Sequence, residues 1–215
     1  MSTPAKTTWK KPALRLMAVA ERLIGEHGYD NVSLVQIAKS AGQANKYAVQ
    51  YHFGDKENLV RAIFDDRLAR IGARRRALLD GLDTGREITA RDLLHAFIHP
   101  VYQEVDDQGR HSYARFAERM LETPLAQDLW FASAHFATSA EVRQRLAELS
   151  PHLSAKNFAI RYSLISAMLI QTLAILDRNP RAAGNDPATQ RPEGSDAEIL
   201  EAAIAIADRA FAAAP

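Results

Sequence analysis

The sequence predicts an all-α chain of about nine helices. Three observations carry that expectation. Apolar residues recur at spacings of three and four, alternating strand-like runs are nearly absent, and Ser, Thr, Asp, Gly and Pro stand where helices would start and stop. No internal repeat is present.

The elements follow in order. Pro12 suits a first helical turn, Leu16, Ala20, Leu23 and Ile24 form one stripe, and Gly28 in HGYDN closes the helix. Ser33 with Gln36 reads as a capping box opening LVQIAKSA, where Leu34, Ile37, Ala38 and Ala41 share one side and Gly42 ends the run. Asn45 is the expected N-cap of a third helix reaching about Phe53. Gly54-Asp55 stops that helix and caps a long fourth one through about Leu82. Thr89 with Asp92 opens a helix to about Val105, broken by DDQG at 106–109. Further helices are expected over about 111–122 and 125–147, with Pro151 after them. Ser154 opens a long apolar helix to about Arg178. Residues 179–195 are rich in Pro, Gly and polar side chains and predict a mobile loop, after which Asp196 caps a last helix, AEILEAAIAIADRAFAA.

Composition narrows the function. A chain of 215 residues can bury the core of one or two compact domains without staples. With no cysteine there are no disulfides or thiolate metal sites, which agrees with a reducing cytoplasm. MSTPAKTTWKKP carries three lysines but no apolar run of a signal peptide follows, and SLISAMLIQTLAIL at 163–176 is short for a bilayer span. A cytoplasmic protein with no membrane partner is expected. The net charge of +1 conceals a split: residues 1–76 hold 14 Lys/Arg against 7 Asp/Glu, and residues 77–215 hold 13 against 19. A basic head for a polyanion on an acidic body is the reading this supports.

The head has the layout of a helix-turn-helix. Its three short helices break at GYDNVS and at AGQA, and the second element of such a motif lies in the DNA major groove. On a helical wheel for Lys46–Phe53, Val49 and Phe53 face the core, while Tyr47 and Tyr51 lie nearly opposite with Ala48 and Gln50 beside them. Tyrosine hydroxyls and lysine can hold phosphate oxygens, glutamine can pair with an adenine edge, and alanine can touch a thymine methyl. The Lys-bearing arm ahead of the first helix can follow the backbone or enter a minor groove. The alternative is an ordinary solvated helix with half-buried tyrosines.

The segment from LMAVAERLIGEHGYDNVSLVQIAKSAGQ through YHFGDKENLVRAIF resembles the DNA-binding domain of the TetR family of one-component bacterial transcription regulators. The matching residues are Ala20, Leu23, Gly28-Tyr29, Ser33, Ile37-Ala38, Ala41-Gly42, His52-Phe53-Gly54, Lys56-Glu57 and Leu59. The family pattern places ten residues after Ala-Gly up to the Phe, and QANKYAVQYHF has eleven. The resemblance implies DNA contacts at Ser33, His52 and Lys56, and, aligned back from Phe53, at Asn45, Lys46, Tyr47, Ala48, Gln50 and Tyr51. It also implies a DNA-binding domain over 1–54 and a ligand-binding and dimerisation bundle over 55–215, with a homodimer formed through helices at about 155–178 and 197–213.

The body offers independent support. Residues 155–178 are apolar on more than one side, and Ala203, Ile204, Ala207 and Ala210 permit close approach, so a four-helix seam between two copies is expected, against a thick monomeric core. Candidate walls of a pocket for a small apolar or amphipathic effector are Phe97, Tyr102, Tyr113, Phe116, Met120, Trp130, Phe131 and Met168, with His99, Arg115 and His135 as polar anchors. His95 and His99 have metal-ligand spacing but lack HExxH or a carboxylate partner, so no metal and no cofactor is expected. No nucleophile with its base and no phosphate-binding glycine loop is present, so an enzyme using His99 and Glu118 is the weaker alternative. A DNA-binding protein without an effector is the other.

Overall fold

The computed structural model describes residues 9–82, 85–121, 123–125, 136–177 and 194–214. Those residues form nine helices and no strand: α1 Lys11–His27, α2 Leu34–Ser40, α3 Ala48–Phe53, α4 Lys56–Leu82, α5 Ala90–Tyr102, α6 Ser112–Leu121, α7 Ala137–Glu148, α8 Ala155–Leu176 and α9 Asp196–Ala212. The all-α expectation stands. Most of the expected 179–195 loop, and the first half of the helix expected over 125–147, lie outside the described residues.

Local signals explain most of the boundaries. Ser33 Oγ accepts the Gln36 N–H at 3.1 Å, the forward half of the expected capping box. Asp55 Oδ1 accepts the Asn58 N–H at 2.7 Å and so starts α4. Thr89 and Asp92 form the full reciprocal box. Four expectations need correction. The third helix starts at Ala48 and its N-cap position is Tyr47; Asn45 Oδ1 instead accepts the Tyr47 N–H at 2.9 Å in a turn ahead of it. Helix α5 ends at Tyr102, three residues before Val105, with Pro100 inside its last turn. The last helix is capped by Ser195, which shares a reciprocal box with Glu198, so Asp196 is its first helical residue. The apolar helix α8 has 22 residues, and an 18-residue window of it has a mean hydropathy of 1.6, so by length and composition it can cross a bilayer, unlike the 163–176 stretch alone.

Head and body share one core. Helices α1–α3 close around Leu16, Ala20, Ile24, Ile37, Ala38, Val49 and Phe53, and that cluster continues through Phe64 and Phe116 into the bundle. Helix α1 makes its most extensive contact with α6. The approach is close: a Cβ on Gly25 would lie 3.1 Å from the Phe116 backbone nitrogen, so α6 would have to give way for any larger residue. Beside it, Glu21 of α1 is buried and takes two bonds from Arg67 of α4, at 2.7 and 2.9 Å, and a further one from Ser112. Arg67 also reaches the buried Glu104 at 2.7 Å, which Arg74 bonds as well. Burial acts to lower the Arg67 pKa, but Glu21 and Glu104 outweigh it and hold the guanidinium above its ordinary value.

Candidate nucleic-acid interface

The tip of the head is built by a short turn and a six-residue helix. Gly42, at φ +68°, takes the chain out of α2 in a conformation that L side chains rarely adopt, and Gln43 N–H bonds back to Ala38 O at 3.0 Å. Residues 44–47 then turn, which takes up the extra residue of QANKYAVQYHF before the helix begins. Helix α3 is fixed by Val49 and Phe53, both buried, and Trp9 lies against Phe53 with ring centroids 5.2 Å apart. That last contact seats Trp9, next to Lys10 and Lys11, on the head. No periodic signal marks that contact, because Trp9 precedes every helix.

With those anchors inward, Tyr47 is 55% and Tyr51 81% exposed, and Lys46 and Gln50 are exposed beside them. The Lys46 ammonium sits 5.0 Å from the Tyr47 ring centre, and Tyr51 meets the His52 ring edge-on at 5.0 Å. Ser33 and Asn45 are exposed and His52 half-buried at the same end of the molecule. Lys39, in the last turn of α2, adds an exposed cation that the sequence reading did not single out.

Two of the expected contacts are placed differently. Ala48 is buried, since α3 stands in a corner between α2 and α4 that covers more of its circumference than one stripe. Lys56 is occupied within the head: its ammonium bonds the Tyr29 carbonyl and lies 4.2 Å from the Tyr29 ring centre. Burial lowers the Lys56 pKa, with Asp30 acting in the opposite sense. Its evident part is to tie the start of α4 to the end of α1.

Among the described residues, the expected effector residues do not gather around one cavity. Tyr113, Phe116 and Met120 are fully packed, with Phe64 meeting Phe116 at 5.1 Å and Tyr113 at 6.3 Å, so they are core at the head–body joint. Tyr102 is half-buried and stacks on His111 at 5.1 Å, and His111 in turn bonds Asp177 at 3.1 Å. His99 lies against Tyr102, and Arg115 and Met168 are half-buried. Phe97 stands beside the guanidinium of Arg75, which lies 5.3 Å from its ring centre. Trp130, Phe131 and His135 lie outside the described residues. A cleft of about 530 Å³ does open, but between α1, α4 and the segment after α5, lined by Leu14, Met17, Ile63, Arg67, Arg70 and Val105 among others. None of the expected wall residues that are described lines it. His95 turns to Glu201 at 3.1 Å, and among the described residues no cluster of three or more His, Asp or Glu has metal-site geometry.

Comparison with known proteins bears on this arrangement. Residues 16–63 match the family model of bacterial regulatory proteins of the tetR family, and residues 95–205 match that of the tetracyclin repressor-like C-terminal domain. No curated protein matches. Among solved structures, a transcriptional regulator from Rhodococcus sp. Rha1 is 22% identical at a TM-score of 0.51, over 94% of this chain and 96% of that one. A regulator from Mesorhizobium loti described as of the TetR family is 18% identical at a TM-score of 0.52, with the same coverage. These likenesses concern the fold. The two family models cover the head and most of the bundle in the order in which the structure joins them, and the chain therefore belongs to the TetR family of bacterial transcriptional regulators.

Proposed function

We propose that the protein is a repressor that binds palindromic double-stranded DNA as a homodimer and leaves it when a small, largely apolar or amphipathic effector binds the body. The observation that carries the DNA-binding part is the outward pair Tyr47 and Tyr51, beside exposed Lys46 and Gln50, on a helix whose other side is locked by Val49 and Phe53. Phosphate oxygens suit the tyrosine hydroxyls and the ammonium, and a base edge suits the amide. The outer faces of α8 and α9 support the dimer. Leu164 is 66% and Ile206 58% exposed, with Ile160 on the same face of α8 as Leu164. The small residues Ala203, Ile204 and Ala207, expected at the seam between copies, are buried within the chain and set the packing of α9.

A ligand favouring a splayed bundle tilts α4, which runs from the head into the body, and spoils the separation of the two heads. Successive major grooves require about 34–36 Å between recognition helices. One observation favours a second reading, a DNA-binding protein without effector: Tyr113, Phe116 and Met120 fill space where pocket walls were expected.

The test is to sequence the DNA retained by the purified protein and measure its binding across a salt series. An enriched palindrome with salt-dependent affinity is the expected result. No enrichment over unrelated duplex sinks the proposal. Thermal-shift screening with small apolar acids separates the two readings.

A further inference from the structure

Arg75 lies about three-quarters of the way along α4 and is only 2% exposed. Its bonds divide into two kinds. Nε donates to Ala96 O at 3.2 Å and Nη2 to Phe97 O at 2.7 Å, both on α5. Pro100 explains the first of these, because a residue without an N–H leaves the carbonyl four positions earlier without its helical partner. Nη1 faces hydroxyls instead: Ser139 Oγ at 2.7 Å and Thr138 Oγ1 at 3.4 Å, both in the first turn of α7.

Every acceptor is neutral. Among the described residues no carboxylate pairs with Arg75, and the acids on neighbouring turns are taken, since Asp80 and Glu141 both pair with Arg76. A buried cation without a counter-charge is costly, and burial lowers the Arg75 pKa to about 10, against smaller opposing effects of Tyr162 and Tyr113; it is still charged at neutral pH. Side chains from five helices converge there. Phe97 of α5 and Tyr162 of α8 lie with ring centres 6.0 Å apart, Tyr113 of α6 is within electrostatic reach, and α7 packs on α4 and α5. At the outer end of the α7–α8 seam, the exposed Arg143 sits 5.8 Å from the Tyr162 ring centre, a second cation whose contacts among the described residues are with rings.

We propose that Arg75, with the hydroxyls of Ser139 and Thr138, is the anchor for one anionic group of the effector, which makes the effector class a compact apolar molecule carrying a carboxylate. The hydroxyls now accept from Nη1. Turned round, each can donate, so a carboxylate entering at Nη1 meets three donors and supplies the missing charge. Phe97 and Tyr162 give its apolar part a surface, and Arg143 attracts it to the seam. The inference rests on the regulator reading only in calling the ligand an effector.

The experiment melts the full-length protein with 4-phenylbutyrate and with octanoate, each against the amide of the same skeleton at constant ionic strength, for wild type, Arg75→Met and Ser139→Asp. The carboxylates raise the wild-type midpoint by about 3–6 °C at roughly ten times their Kd, and the amides leave it unchanged. Both variants lose the response. Ser139→Asp, which places a carboxylate where the hydroxyl meets Nη1, also melts above wild type without ligand. Equal shifts with acid and amide, no shift with either acid, or a response surviving in a folded variant overturns the proposal. Circular dichroism establishes folding, and if Arg75→Met does not fold, Ser139→Asp decides. Retention of selected DNA is measured separately: DNA binding without a carboxylate response removes the anchor alone, whereas a protein that retains no DNA removes the regulator reading.

Discussion

Lys46 and Gln50 stand side by side on the exposed face of the head, yet their chemistry assigns them different work. An ammonium over a tyrosine ring is a point charge for phosphate and is blind to sequence, whereas an amide can match one base edge. Replacing Lys46 with alanine should therefore weaken binding to all duplexes alike and reduce the salt slope by about one. Replacing Gln50 with alanine should cost about 1–3 kcal/mol at the cognate site and relax preference at one base pair. Anisotropy titrations on a panel of single-base variants separate the outcomes, and a uniform loss for Gln50→Ala would remove it from base readout. The outward tyrosines were legible in the sequence because Val49 and Phe53 fix the phase of so short a helix. Ala48 was not, because a helix in a three-helix corner buries its flank as well as its stripe. Arg75 was not legible either. It lies in a run of three arginines that reads as a solvated face, and successive residues of a helix point 100° apart, so Arg74 and Arg76 reach the surface while the middle one turns inward.

Between helices, the decisive contact is that of α1 with α6. Alanine is ordinarily the better helix former, by about 1 kcal/mol over glycine. At Gly25 the added methyl would meet backbone of α6 at 3.1 and 3.3 Å, atoms that cannot rotate away. Overpacking of that kind costs about 1–3 kcal/mol, so the wedge outweighs the propensity gain. Gly25→Ala should lower the melting temperature by a few degrees and change operator affinity through the seat of α1. An unchanged or higher melting temperature would show that α6 yields. Glu21 is the polar counterpart of that joint. Glu21→Ala strips Arg67 of its bidentate partner and should destabilise by about 3–5 kcal/mol, read as a shifted denaturant midpoint. A loss below about 1 kcal/mol would mean that Glu104 alone suffices. Sequence patterns located these helices within a few residues, since caps such as Thr89 with Asp92 act locally. They did not reveal the joint, because a glycine in mid-helix and an isolated glutamate acquire meaning only from the surface opposite.

Helix α8 presents two apolar faces. Its inner side packs through Phe158, Ile165, Leu169 and Leu173, while Leu164, 66% exposed, continues an outer face with Ile160, and Ile206 lies on the outside of α9. A helix this apolar on both sides calls for a second cover, and in the proposed dimer a copy of the same chain is that cover, with a symmetry that suits two heads to one palindrome. Leu164→Glu tests this with little risk to the fold, because the side chain lies largely outside the chain's own core. A two-fold axis places the introduced charge in the interface twice, and burying each without a partner costs several kcal/mol. The variant should sediment as a monomer at concentrations where wild type is a dimer, with an unchanged helical circular-dichroism spectrum. Each head then binds alone. Joining two binding modules raises avidity by about 10²–10⁴, so operator affinity should fall by that order while binding to an isolated half-site is unaffected. If wild type and variant sediment alike, or if the variant holds the full palindrome as tightly as wild type, the outer face of α8 is not what brings two heads to the DNA.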